Sequence, residues 1–397
     1  MSDSVSDSVE LLVQPPTVEV AVDAAARSTE SPSDLILEVK DFSVEYGWGK
    51  NAVRAVDSVD LDVHRAQVLG IAGESGSGKS TLVHAMIRLL RSPGVIAGGG
   101  VTLRLGKDDQ GEDRSVDLLK ATERDLRKIR WSEISIVLQS ALNALDPVLR
   151  ISSEFDEILK SHGSDLNRRE RHLRAVELLS MVGLEEDRLA RFPHELSGGQ
   201  RQRIMIALAL ALDPQLVIMD EPTTALDVVT QREIINELSD LRAQFGFAMI
   251  FITHDVSLLV ELADEIAVMY AGAIVERAPA GALYAAPRHP YTLGLLNSSP
   301  PLHGERAELE GIPGSPPDLS DMPTGCNFHP RCPFAMEKCT SAVPPLLPVD
   351  GTGRAVACWL HEDGADVTLP DELGRIAPVS APKYRGASPA NKVGEAP

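Results

Sequence analysis

Long apolar runs, positive charge and cysteine are all scarce in this chain of 397 residues. Its longest apolar run, Ile204–Leu212, falls far short of the roughly 18–20 residues that a membrane-spanning helix needs, which argues against an integral membrane protein. Residues 1–34 lack the basic start and apolar stretch of a secretory signal. Lys and Arg number 38 against 58 Asp and Glu, for a formal charge of −20. Proteins that bind nucleic acid non-specifically carry the opposite balance, so no nucleic acid is expected as a partner. In an intracellular chain of this size, only four cysteines point to metal or cluster ligands before disulfides.

What remains is an ordinary globular composition, 43% apolar and 24% charged, long enough for about two domains. Residues 1–34 hold seven acids and one Arg with no sustained period, and read as a disordered acidic leader. From Leu35 strands and helices alternate. Val68–Ala72, Leu216–Met219 and Phe247–Thr253 read as buried strands. A helix with Leu82, Met86 and Leu89 on one face is expected to run to Ser92-Pro93-Gly94. A second carries Leu173, Val176 and Leu179 as far as Val182, capped by Gly183. A third carries Ile234, Leu238, Leu241 and Phe245, closed by Gly246. Such alternation implies an α/β fold with a parallel sheet covered on both faces. A Pro-rich passage, Pro300–Pro323, separates this body from the segment Cys326–Cys358. Beyond it, residues 363–397 read as a flexible tail.

Gly73-Glu74-Ser75-Gly76-Ser77-Gly78-Lys79-Ser80 fits G-x-x-x-x-G-K-[ST] between a strand and a helix, with Thr81 next in the helix. Glycines let backbone N–H groups converge on phosphates, and the helix start adds partial positive charge. Lys79 supplies a cation to the β- and γ-phosphates, and the Ser80 hydroxyl completes a Mg²⁺ shell. Asp220 and Glu221 end a buried strand, where ligands of open α/β sheets bind. Asp220 is placed to hold Mg²⁺ through water, and Glu221 to polarise the attacking water.

With Leu196-Ser197-Gly198-Gly199-Gln200 added to these motifs, the chain resembles the ABC ATPases over residues 35–362. The resemblance implies a RecA-like P-loop core with an antiparallel β subdomain and a helical subdomain at about 140–200, together spanning 35–285. It implies Tyr46 as the aromatic stacked on adenine and Gln139 as the Mg²⁺-sensing glutamine. Ala225-Leu226-Asp227 would cross between subunits, and His254 would contact the γ-phosphate. Ser197, Gly198, Gly199 and Gln200 would bind ATP held by the facing subunit, an anion trap at a helix start. The short interval from Gln139 to Ser197 leaves no room for the long coiled-coil arms of DNA-repair ABC ATPases.

His289-Pro290-Tyr291-Thr292 and Cys326-Asn327-Phe328-His329-Pro330-Arg331-Cys332-Pro333 resemble the ATP-binding subunits of oligopeptide/dipeptide (peptide/nickel) importers, in a C-terminal extension at 286–362. That branch implies an ATP-hydrolysing subunit, peripheral on the cytoplasmic membrane face and energising peptide import by ATP-driven dimerisation. Its partners would be two membrane-spanning permease subunits, a second ATP-binding subunit and an extracytoplasmic substrate-binding protein. A soluble ABC ATPase acting on ribosome or DNA is the alternative function, and nickel or another small solute the alternative cargo. The cysteine spacing C-x5-C-x6-C-x18-C over Cys326, Cys332, Cys339 and Cys358 fits a [4Fe–4S] cluster, structural Zn²⁺ or unligated thiols. Cysteine-bearing members of the resembled family imply the cluster. His329 and His361 read as surface residues, with substitute ligands as the alternative. Leu142, Leu145 and Pro147, in Ser140–Val148, are expected at the surface, forming with the helical subdomain an apolar groove for a permease helix; the alternative is that they pack beneath that subdomain.

Overall fold

Strand Leu216–Asp220 sends Leu216 and Ile218 into one apolar core and Val217 and Met219 into another. Side chains alternate across a strand, so a strand buried on both faces must feed two cores. In the computed structural model this holds for each central strand. The structure describes residues 34–107, 113–138, 144–162, 166–224, 226–298, 311–349, 351, 353–364 and 369. The chain divides into a unit of residues 1–34 and a unit of residues 35–397. Save for Asp34, the acidic leader lies outside the described residues, as do Gln139, Leu142, Ala225 and, Leu369 apart, the tail beyond 364.

The strands are β1 (Leu35–Tyr46), β2 (Val53–His64), β3 (Val68–Ala72), β4 (Gly94–Lys107), β5 (Asp113–Asp117) and β6 (Ile134–Val137). They continue as β7 (Leu216–Asp220), β8 (Ala248–Ile252), β9 (Glu265–Tyr270), β10 (Ala273–Pro279), β11 (Leu347–Val349) and β12 (Arg354–Val356). One sheet, β2-β1-β4-β5, is wholly antiparallel. The other runs β11-β12-β10-β9-β3-β8-β7-β6. Its strands β9, β3, β8, β7 and β6 are parallel, and β10, β12 and β11 continue it antiparallel. The extension therefore docks partly by adding β12 and β11 to the edge of the central sheet.

Helices α1 (Lys79–Met86), α2 (Glu123–Ile129), α3 (Ile151–Ser161), α4 (Arg168–Met181) and α5 (Gly198–Ala209) precede β7. After it come α6 (Val228–Phe245), α7 (Val256–Leu262), α8 (Ala280–Ala285), α9 (Pro290–Asn297) and α10 (Glu337–Ser341). One core joins the antiparallel sheet and α1 to one face of the central sheet. The other packs α3–α9 against the opposite face. Among the described residues no helix is long and apolar enough to cross a membrane.

Several sequence expectations need correcting. Helix α1 stops at Met86, and Leu89 lies beyond it, partly exposed. The Arg130 guanidinium bonds the carbonyls of Ile87 and Arg88 at 3.0–3.2 Å, ending the helix from outside. In α4, Leu173 is 56% exposed; the buried stripe is Ala175, Leu178 and Leu179. Phe245 is exposed because Gly246, at φ +70°, turns the chain out of α6 there. Leu145 is 4% exposed and packs in the helical core, so it cannot line a surface groove, although Pro147 and Val148 are exposed. His361 is buried, with Nε2 2.9 Å from the Arg288 carbonyl oxygen.

Candidate nucleotide site

Because β3, β8 and β7 are adjacent and parallel, their C-terminal ends fall on one edge of the sheet. The loop after β3 is Gly73–Gly78, the residue after β7 is Glu221, and His254 stands two residues beyond the end of β8. Three segments distant in sequence thus open at one crevice, where α/β sheets bind ligands. The loop depends on glycine at two tight places. A Cβ on Gly73 would come 2.3 Å from the Met269 carbonyl oxygen, and one on Gly78 2.4 Å from that of Ala55. Both have positive φ, +149° and +102°.

Lys79 is buried, and its ammonium meets three acceptors: the carbonyls of Gly73 and Glu74 at 2.8 Å each and Ser77 Oγ at 3.3 Å. Burial pulls its pKa down, opposed by the charges of Glu221, Asp220 and Glu74. Its three protons are parked on the loop that a phosphate would occupy. Ser80 Oγ donates to Asp220 Oδ1 at 2.8 Å. Asp220 Oδ2 is buried without a hydrogen-bond partner, and His84 Nε2 stands 3.3 Å from it, off the line of a hydrogen bond. An orphaned buried carboxylate oxygen beside a serine hydroxyl fits a hydrated divalent cation.

Glu221 has φ +46°, a left-handed backbone that costs a non-glycine residue about 1–3 kcal/mol. Its amide donates to Ile252 O at 3.0 Å, fixing that turn, while Thr224 Oγ1 donates to its Oε2 at 3.0 Å. His254 Nδ1 lies 3.9 Å from Glu221 Oε1, with a largely exposed side chain. The Tyr46 hydroxyl, at the end of β1, is 3.4 Å from Thr81 Oγ1, which ties this aromatic to α1. Trp48, two residues on, is 72% exposed.

Ser197 is the N-cap of α5. Its hydroxyl accepts from Gln200 N at 3.2 Å while Gln200 Oε1 accepts from Ser197 N at 3.1 Å. Gly198 and Gly199 pack beside the start of α6. A Cβ on Gly199 would meet Thr230 Cγ2 at 2.7 Å, so only glycine lets these helix starts approach so closely. Asp227 caps α6, accepting from Thr230 N at 2.9 Å.

Two contacts escaped sequence reasoning altogether. Arg331 and Tyr291, both in the extension, bond Glu74 of the phosphate loop. Neither partner is visible from local pattern. His84 was also missed, although it stands four residues after Ser80 and so on the same helix face, which is a usable signal.

All four cysteines are free. Cys326 N donates to Cys339 O at 2.8 Å, bringing their two segments together. Burial, with nearby cysteine thiolates adding to it, raises the thiol pKa of Cys332 to about 11 and of Cys358 to about 12. The cysteines are therefore neighbours. Among the described residues, however, no group of three or more His, Cys, Asp or Glu is arranged to hold a metal ion.

A phosphate loop, a strand-end Asp-Glu pair and a serine-capped LSGGQ helix on this sheet define a P-loop ATPase of the ATP-binding cassette class. The ABC transporter family profile matches residues 56–224, and that of the oligopeptide/dipeptide transporter C-terminal region matches 275–339. The dipeptide transport ATP-binding protein DppD of Caldanaerobacter subterraneus subsp. tengcongensis is 41% identical over 331 residues, 83% of this chain and 98% of that protein. The chain belongs to the ATP-binding subunits of the oligopeptide/dipeptide ABC transporter family. The oligopeptide transport ATP-binding protein AppD of Bacillus subtilis is 42% identical over 83% of this chain and 97% of its own length. OppD of Salmonella typhimurium is 39% identical over 86% and 98%. Among solved structures, the dimeric post-hydrolysis ATP-binding cassette MJ0796, bound to ADP and Pi, superposes with a TM-score of 0.53. It is 28% identical and covers 62% of this chain and 99% of that one.

Proposed function

We propose that this chain hydrolyses ATP to drive import of di- or oligopeptides, seated peripherally on the cytoplasmic face of the membrane. Its partners are two permease subunits, a second ATP-binding subunit and an extracytoplasmic binding protein. The observation that carries the ATP site is the Ser80–Asp220 hydrogen bond, which joins the phosphate loop to the acidic strand end at 2.8 Å. In this reading Lys79 leaves the Gly73 and Glu74 carbonyls for the β- and γ-phosphates. Ser80 and Asp220 would hold Mg²⁺, which would supply positive charge to the phosphates, with Gln139 as its sensor. Glu221 accepts the proton of the water that attacks the γ-phosphorus, and the terminal P–O bond breaks to give ADP and inorganic phosphate. His254 contacts the γ-phosphate, and Tyr46 stacks on adenine. Ser197, Gly198, Gly199 and Gln200 of one subunit close over ATP bound by the other. Hydrolysis removes that shared ligand and the pair relaxes.

For the cysteines we propose a [4Fe–4S] cluster that staples the extension. Four soft donors free of disulfides support it. The raised pKa values of Cys332 and Cys358 mean that loading must release their thiol protons.

The peptide reading is supported by the names of the relatives and by the match of the C-terminal region. It is tested by gentle detergent extraction of the tagged full chain with its neighbours. Recovery of two polytopic subunits, with peptide uptake lost on deletion, supports the importer. Recovery with ribosomes or DNA contradicts it, and loss of nickel uptake alone reassigns the cargo.

A further inference from the structure

We infer that the C-terminal extension governs ATP affinity by neutralising and holding Glu74, with Arg331 and Tyr291 as positioning residues. This rests on the reading of Gly73–Ser80 as the ATP site. Arg331 Nη1 donates to Glu74 Oε2 at 2.7 Å and Nη2 to Oε1 at 3.0 Å, a two-pronged pair in which the arginine side chain is 5% exposed. The Glu74 N–H donates to the Tyr291 hydroxyl at 2.8 Å. The extension thus grips both the backbone and the side chain of one phosphate-loop residue, from positions 217 and 257 residues away.

The grip is itself anchored. Arg331 Nε donates to the Pro313 carbonyl at 2.8 Å, and Nη1 also reaches the Tyr270 hydroxyl at 3.3 Å. Its guanidinium lies over the Tyr270 and Phe328 rings, 5.8 and 5.9 Å from their centroids. Tyr270, Tyr291 and Phe328 pack ring against ring at 4.5–5.4 Å. Arg331 ends a short turn between Cys326 and Cys332, so the cysteine-bearing segment carries the arginine to the loop.

Electrostatics gives the grip a role beyond stapling. A carboxylate in a loop built to cradle a triphosphate repels it, and Arg331 cancels that charge. The Glu74 carbonyl, held through the same residue, is also one of the oxygens on which Lys79 rests. Losing the arginine therefore leaves an uncompensated anion at the phosphate site.

The test measures Mg-ATP affinity by titration calorimetry on the full chain, with thermal melting as a check on folding. Arg331→Gln is expected to bind ATP about tenfold more weakly, with a deficit that shrinks at high salt. Adding Glu74→Gln should restore most of that loss, a rescue that a merely structural arginine would not allow. Lys338→Gln, at a surface ion pair of the extension, should bind as wild type does. If Arg331→Gln does not fold, Tyr291→Phe keeps the ring and is expected to weaken binding several-fold by freeing the Glu74 amide. Unchanged affinity in Arg331→Gln, no rescue in the double variant, or unchanged affinity in Tyr291→Phe would each overturn the inference. A wild-type chain that binds no ATP would instead overturn the site reading beneath it.

Discussion

The hydroxyl of Ser80 donates to Oδ1 of Asp220 at 2.8 Å across 140 positions of sequence. Parallel pairing of β3, β8 and β7 makes that contact possible, since it lines up the strand ends from which both residues emerge. The other oxygen of Asp220 is buried without a hydrogen-bond partner, beside His84. Leaving such an atom unpaired costs about 1–3 kcal/mol, a cost that a hydrated cation removes.

Asp220→Asn keeps the shape of that side chain and removes its charge. The Mg²⁺ concentration giving half-maximal ATP hydrolysis should rise by about tenfold or more, with little change in melting temperature. Titrating Mg²⁺ at saturating ATP checks this, and an unaltered Mg²⁺ requirement would remove Asp220 from the cation site.

His289 carries a pH signature in the extension. Its Nδ1 accepts the Tyr291 amide at 3.0 Å as the cap of α9, and burial, with His361 nearby, holds its pKa down to about 3. The unfolded chain binds a proton near pH 6.5 that the folded chain refuses until about pH 3. Stability contributed by the neutral ring is complete above that range and is lost as pH falls through it. His289→Asn keeps a capping acceptor and cannot titrate. Urea midpoints from pH 7 to pH 4 should therefore fall less steeply in the variant than in the wild type; equal slopes would show that His289 does not set this dependence.

The cysteine reading gives an analytical prediction. Anaerobically purified protein should carry about four iron atoms and four sulfides per chain with broad absorbance near 400 nm, and replacing Cys326 or Cys332 with Ser should abolish both. One zinc per chain would replace the cluster with a structural zinc site. Absence of any metal would leave unligated thiols.

Much of this fold was legible in short apolar runs. Val68–Ala72 appears with the bounds read from the sequence, because a strand buried on both faces is apolar at every position. Gly246 and Gly183, both with positive φ, mark the ends of α6 and α4 for the reason that makes glycine readable there. Where periodicity misled, a distant partner decided the outcome. Arg130 terminates α1 ahead of Leu89, and the helical core takes in Leu145. The phosphate loop and Asp220 were legible because each is a local motif. Arg331 and Tyr291 stood inside quoted motifs, but their hold on Glu74 is a product of tertiary docking. Local sequence carries no trace of it.

The proposed function requires that two cassettes close around shared ATP. Glu221→Gln, which should slow hydrolysis by about 10²–10⁴-fold while sparing binding, is the means of trapping that state. The decisive measurement is the sedimentation mass of this variant, alone and mixed with the second ATP-binding subunit, in Mg-ATP and in Mg-ADP. A two-cassette particle is expected in ATP, for the variant alone or with the second subunit, and it should separate in ADP. A single-cassette mass in ATP under both conditions would contradict it.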